Sequence, residues 1–146
     1  MKLSLNHPLD TIILSFTILS LATGSGMSQS LPQNTKSDSK AEIVRGQSGG
    51  SVDSKGCGFI ANTPNHTMKL SQRIDYMRLT VDTAGGQPTL LVLGPHPGDS
   101  FCVLGDEVSG LKPEISGVWE AGQYQIYIGD RIGQNYQFTL NISTEN

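Results

Sequence analysis

Two stretches in the second half of the chain decide its fold: GGQPTLLVLGPHPGDSFC from Gly85 to Cys102 and AGQYQIYIGD from Ala121 to Asp130. In the second stretch every other residue from Tyr124 to Ile128 lies on one apolar face, which is the two-residue period of a β-strand. Thr89–Leu93 is apolar on both faces, as expected of a strand covered on both sides. Glycine and proline pairs between these runs are typical of turns.

The same period recurs in Tyr76–Asp82 and in Tyr136–Ile142. About eight or nine short strands, spaced by roughly ten residues, predict an all-β single domain over residues 41–146. A single small sheet would leave one apolar face in water, so two facing sheets are expected. The predicted fold class is therefore a β-sandwich or jelly-roll-like domain.

The N-terminal residues predict export. Residues 1–28 contain an apolar run of about a dozen residues, Thr11–Ala22, followed by small residues, which is the pattern of a signal peptide. The run is shorter than the roughly 20 apolar residues of a membrane span. Residues 29–40 are polar and predict a flexible linker. We therefore expect a secreted or periplasmic protein whose mature chain has no stable membrane insertion.

The chain has two cysteines, Cys57 and Cys102, which predict a structural disulfide in a small exported domain. A redox-active pair would normally have the CxxC spacing, and a zinc site would need more ligands. Closing a loop of this length stabilises the folded chain by about 4 kcal/mol in the chain-entropy model.

Charge and candidate catalytic groups exclude two classes of function. The formal net charge is −3 and the basic residues are scattered, whereas nucleic-acid binding depends on clustered Lys and Arg. General-base chemistry needs a histidine held by a second group, and neither His66 nor His96 has one in its local sequence. The segment GQSGG at Gly46–Gly50 resembles a protease nucleophile loop, but the domain is too short for a triad scaffold. We expect no enzyme.

Two weaker candidate sites remain. Asp106 and Glu107 form an adjacent acidic pair that is a candidate calcium site, with a solvated turn as the alternative. Tyr76 and Tyr127 fall on the polar sides of their strands and, with Trp119, are the candidate binding surface for sugars or peptides.

Several segments together resemble a known family. They are GCGFI at Gly56–Ile60, PNH at Pro64–His66, the YMRLTV strand, QPTLLVLGP, FCV, GLKPEISGVW and AGQYQIYIGD. The set resembles the bacterial pre-peptidase C-terminal (PPC) domain, which is common in secreted cyanobacterial proteins. The resemblance implies a jelly-roll-type β-sandwich without catalytic activity that accompanies exported enzymes. It also implies acidic residues after the second cysteine, and in some members a calcium ion nearby; here the carboxylates are fewer and displaced.

Two hypotheses of function follow. The first is a non-catalytic exported accessory or binding module that contacts a polysaccharide, a peptide or a partner protein and needs no cofactor. The alternative is a calcium-stabilised structural protein associated with the cell envelope.

Overall fold

The computed structural model describes residues 41–145, which form ten β-strands and no helix. The predicted signal peptide (residues 1–28) and linker (residues 29–40) lie outside the described residues. The strands are β1 (Ala41–Gln47), β2 (Val52–Asp53), β3 (Phe59–Ile60), β4 (His66–Leu70), β5 (Ile74–Thr83), β6 (Pro88–Leu93), β7 (Ser100–Leu104), β8 (Glu114–Trp119), β9 (Gly122–Asp130) and β10 (Gln137–Ser143).

The strands form two antiparallel sheets. Sheet A has the order β1-β10-β5-β8. Sheet B has the order β2-β3-β9-β6-β7, and β4 pairs with the first half of β9 while the short β3 pairs at its end. Leaving aside the short β2 and β3, sheet B has the order β4-β9-β6-β7, and the two four-strand orders together are those of a jelly roll. The predicted all-β, jelly-roll-like sandwich is confirmed.

The first and last strands lie side by side at one edge of sheet A. The register of β1 against β10 runs from Ala41 opposite Ser143 to Gln47 opposite Gln137. The opposite edge of sheet A is β8, which pairs with β5.

The main core lies between the sheets, and the predicted alternation explains its composition. In β5 the residues at Met77, Leu79 and Val81 point inward, and their neighbours along the strand face outward. The same alternation in β10 buries every second residue from Phe138 to Ile142. Burying these side chains stabilises the fold by about 1.5–3 kcal/mol each for the larger aliphatic and aromatic groups. The core cluster comprises Met68, Met77, Leu79, Val81, Leu90, Val92, Trp119, Tyr124, Ile126, Ile128, Phe138, Leu140 and Ile142.

A second, smaller layer covers the outer face of sheet B. The segment that contains β2 and β3 packs Cys57 and Ile60 against Leu91 and Tyr127 of that face. The predicted disulfide is confirmed: Cys57 is bonded to Cys102 of β7, with their Cα atoms 5.8 Å apart. This layer is the reason that β6 is apolar on both of its faces.

A buried carboxylate organises one end of the sandwich. Asp130, at the end of β9, is fully buried. One of its oxygens accepts the backbone N–H of Gln87 at 2.8 Å, and the other accepts the N–H groups of Ile132 at 3.0 Å and Gln134 at 3.1 Å. A single side chain therefore holds the start of β6 and the connection between β9 and β10.

Candidate functional site

The three aromatic residues of the predicted binding surface lie apart. Tyr76 is half-buried on the outer face of sheet A, where its hydroxyl accepts a hydrogen bond from Arg78 Nε at 2.9 Å. Tyr127 lies on the outer face of sheet B and is only 9% exposed, because the β2–β3 layer covers it. Trp119 is 5% exposed in the core, and its Nε1 donates to the carbonyl of Met77 at 3.0 Å. The prediction of one exposed surface made of these three residues is therefore wrong.

Asp106 and Glu107 are exposed in the loop that joins β7 to β8. The Asp106 carboxylate accepts the backbone N–H of Ser109 at 2.7 Å, and this bond holds the pKa of Asp106 below its ordinary value. Among residues 41–145, no three His, Cys, Asp or Glu side chains gather in an arrangement that could hold a metal ion. Calcium binding at this pair stays a prediction.

His66 and His96, the histidines of the described residues, each have a carboxylate partner, which their local sequence did not indicate to us. His96 Nδ1 lies 3.0 Å from Asp99 Oδ2, and His66 Nε2 lies 3.7 Å from Glu42 Oε1. Asp99 comes three residues after His96 across a Pro-Gly turn, so the spacing was a signal that could have been used. In GQSGG, Ser48 is buried and its hydroxyl accepts the N–H of Tyr136 at 3.2 Å, which is a structural role.

A cleft lies on the open side of the sandwich, where β7 ends sheet B and β8 ends sheet A. Its volume is about 480 Å³, within the usual range for ligand sites. The turn between β6 and β7 forms one wall, β8 forms the opposite wall, and aromatic residues form the floor. The lining residues are Pro95, His96, Asp99, Phe101, Ile115, Ser116, Gly117, Val118, Trp119, Glu120 and Tyr124.

The wall formed by the β6–β7 turn is held by its own hydrogen bonds. Gly94 N donates to the carbonyl of Asp99 at 2.8 Å, and His96 N donates to the Asp99 carboxylate at 3.2 Å. The carboxylate thus binds both the backbone and the ring of His96, so the imidazole has a defined position at the rim. Phe101, the first inward-facing residue of β7, is 52% exposed and gives this wall its apolar surface.

The floor is rigid. The rings of Trp119 and Tyr124 meet edge to face, with centroids 5.1 Å apart and planes at 64°. Such aromatic pairs contribute about 0.5–1.5 kcal/mol beyond the area they bury. The Tyr124 hydroxyl donates to the carbonyl of Glu120 at 3.0 Å, so both polar tips at the floor are hydrogen-bonded to backbone.

The cleft has an acidic rim. Burial raises the pKa of the Tyr124 phenol, and the negative charges of Asp99 and Glu120 raise it further. Glu120 lies 3.5 Å from the guanidinium of Arg73, and this pair is exposed, so its attraction is weak.

A second, shallower concavity of about 500 Å³ lies on the other side of the same turn. It is lined by Leu93, Gly94, Pro95, His96, Pro97, Gln123 and Gln125. Pro95 and His96 belong to both concavities, so the β6–β7 turn forms a ridge between an aromatic cleft and an amide-lined surface.

Over residues 41–145, no helix is long and apolar enough to cross a membrane.

Comparison with known proteins gives one informative relative. The chain is similar to an uncharacterized protein of Synechococcus elongatus, with 43% identity over 104 residues that cover 68% of this chain and 73% of that protein. No protein-family model matches the chain. No solved structure gives a significant match.

Proposed function

We propose that this chain, which belongs to the same family as the uncharacterized Synechococcus elongatus protein, is an exported, non-catalytic binding module of the pre-peptidase C-terminal type. It contacts its ligand through the cleft between β7 and β8. The observation on which the proposal depends is the cleft itself, which joins an apolar wall and a rigid aromatic floor to an acidic rim.

Three further observations support the proposal. The jelly-roll strand order agrees with the fold that the resemblance to the PPC domain implies. The Cys57–Cys102 disulfide suits an oxidising compartment, and therefore a secreted or periplasmic location. The cleft is formed by the edges of two sheets on a rigid scaffold, and ligand sites on rigid scaffolds need little ordering energy on binding.

The proposed ligand is a polysaccharide, a peptide or a partner protein. Each of these can make apolar contacts with the wall and donate hydrogen bonds to the carboxylates of the rim. Among the described residues, no third His, Cys, Asp or Glu side chain joins Asp106 and Glu107, so this pair gives less support to the alternative of a calcium-stabilised envelope protein.

The test compares two phenylalanines of similar chemistry at different places. Phe101 lines the cleft, whereas Phe59 is 37% exposed on β3 and lines neither concavity. The full chain, oxidised and immobilised, is presented with defined glycans and with the proteins of the extracellular fraction. We expect ligand retention by the wild type and by Phe59→Ala and its loss in Phe101→Ala. Equal retention by all three proteins would show that the ligand does not bind in the cleft.

A further inference from the structure

The lining of the cleft shows which part of β8 faces it. Six consecutive residues, from Ile115 to Glu120, line the cavity. Successive side chains of a strand point to opposite faces of its sheet. A cavity beside one face would therefore contact every second residue, so contact with all six places the cavity along the backbone edge of the strand.

β8 is an edge strand of sheet A. Among the described residues, β8 pairs with β5 and with no other strand, and β7 pairs with β6 alone. In an antiparallel pair, every second residue directs its N–H and C=O away from its neighbour. On an edge strand these groups are available to a further strand.

Gly117 widens the space beside the edge. It lies opposite Met77, whose side chain is in the core, so a side chain at position 117 would point between the sheets. A Cβ atom built there meets no other atom within 4 Å, and the φ angle of +149° is one that other residues rarely adopt. The middle of the cleft therefore has room for a group from outside the domain.

We propose that the cleft binds an extended peptide, which adds as a strand to the free edge of β8 and places a basic side chain between Asp99 and Glu120. This inference rests on the proposed function of the cleft as a binding site. Strand addition obtains affinity from main-chain hydrogen bonds and specificity from the positions of alternate side chains. Here Phe101 and Ile115 contact the apolar side chains of the peptide.

The aromatic geometry favours a peptide over a sugar. Stacking on a sugar needs an exposed ring face, but Trp119 is 5% and Tyr124 4% exposed, and the two rings pack against each other. Phe101 is the exposed aromatic residue of the lining. One phenylalanine is a good apolar contact for a peptide side chain but a small platform for a polysaccharide.

The charges favour a basic residue in the peptide. The described lining residues include two carboxylates, Asp99 and Glu120, and one base, His96, whose ring is already bonded to Asp99. A Lys or Arg side chain between the two carboxylates would gain charge-assisted hydrogen bonds, and its alkyl part would lie over the aromatic floor.

The experiment begins with a random twelve-residue peptide library selected on the oxidised full chain. We expect the selected peptides to share one Lys or Arg flanked by β-branched or aromatic residues. One such peptide is labelled with fluorescein, and its Kd is measured by anisotropy. N-methylation of every second amide in one register should weaken binding at least tenfold, and N-methylation in the alternate register should not.

Charge variants test the basic side chain. Glu120→Gln and Asp99→Asn should each lower the affinity about threefold, because both carboxylates are partly exposed and Glu120 already contacts Arg73. Glu107→Gln is the matched control, since it removes the same charge from an exposed loop outside the cleft. Near-ultraviolet circular dichroism checks that each variant remains folded.

The outcomes separate the two proposals. Equal effects of N-methylation in both registers, or affinity unchanged by Glu120→Gln and Asp99→Asn, would refute strand addition of a basic peptide. A glycan retained in a Phe101-dependent manner, with no selected peptide, would also refute it and leave the binding cleft in place. If the binding of no glycan, peptide or protein is lowered by Phe101→Ala, the proposed function itself is refuted.

Discussion

Replacing Asp130 should cost this domain much of its stability. The fully buried carboxylate accepts three backbone N–H groups, from Gln87, Ile132 and Gln134, at 2.8–3.1 Å. In Asp130→Ala all three donors lose their acceptor. A hydrogen bond to a charged group contributes about 1.5–3 kcal/mol. Gln87, Ile132 and Gln134 are exposed residues whose N–H groups water can partly reach, so the expected loss is about 3–5 kcal/mol rather than the full sum.

Asp130→Asn should be milder, because the amide keeps one acceptor oxygen. Its NH₂ group, however, must face at least one N–H donor, so a loss of about 2–3 kcal/mol is expected. A domain of this size has a total stability of about 5–15 kcal/mol, so both variants should show a clearly lower urea midpoint.

Equilibrium urea unfolding measures these losses through the fluorescence of Trp119, the single tryptophan of the chain. Asp75→Asn is the matched control, since this aspartate is exposed and its carboxylate pairs with exposed Arg73; its effect should stay within about 0.5 kcal/mol. If Asp130→Ala also stayed within about 1 kcal/mol of the wild type, the three hydrogen bonds would not be the device that holds this end of the sandwich.

Three other predictions concern the disulfide, pH and calcium. Cys57→Ser with Cys102→Ser should lower the free energy of unfolding by about 4 kcal/mol, and mass analysis after alkylation of the native protein should find no free thiol; two alkylated cysteines would contradict the bond. Burial holds the pKa of Tyr124 above its ordinary value of 10.0, so its contribution to stability is complete below pH 10 and is lost as the pH rises through the higher folded-state value. The urea midpoint should therefore fall above pH 10 less steeply in Tyr124→Phe than in the wild type, and equal slopes would be evidence against this assignment. Because no third His, Cys, Asp or Glu side chain joins Asp106 and Glu107 among the described residues, 1 mM calcium should shift the Tm by less than about 1 °C, whereas a site filled at 100 times its Kd would add about 2.7 kcal/mol and several degrees.

The sequence was sufficient for the features that depend on local alternation. The buried faces of β5 and β10 follow from a two-residue period, and the central position of β6 follows from a run that is apolar on both faces. The disulfide follows from an even cysteine pair in a small domain. Each of these features can be read from one short segment or from the composition, without knowledge of the tertiary contacts.

The predictions of exposed aromatic residues were wrong where a distant segment of the chain covers a strand. Tyr127 has a polar-side position in β9, yet the β2–β3 layer covers it, and that layer is held by a bond to β7 far along the chain. Trp119 ends an edge strand but turns into the core, where the carbonyl of Met77 accepts its N–H.

The cleft could not be predicted from the sequence because its walls come from different sheets. The β6–β7 turn and β8 meet only after the jelly roll has closed, so no local pattern places Asp99 near Glu120. The pairing of His96 with Asp99 could have been predicted, since both residues belong to one Pro-Gly turn. The bonds of Asp130 to Ile132 and Gln134 are local and typical of an Asp turn, but its bond to Gln87, 43 residues away, has no local signal.

The pairing of Ala41 with Ser143 has a consequence for how this domain can be joined to other chains. Ala41 and Ser143 lie side by side on β1 and β10, which are three and two strands away from β8, or roughly 14 Å and 10 Å across sheet A. A fusion partner or solid support attached at one end therefore lies beside the other end. Because the two ends are adjacent, the domain is also suited to insertion into a surface loop of a host protein. The two sides of that loop could stay close together after the insertion.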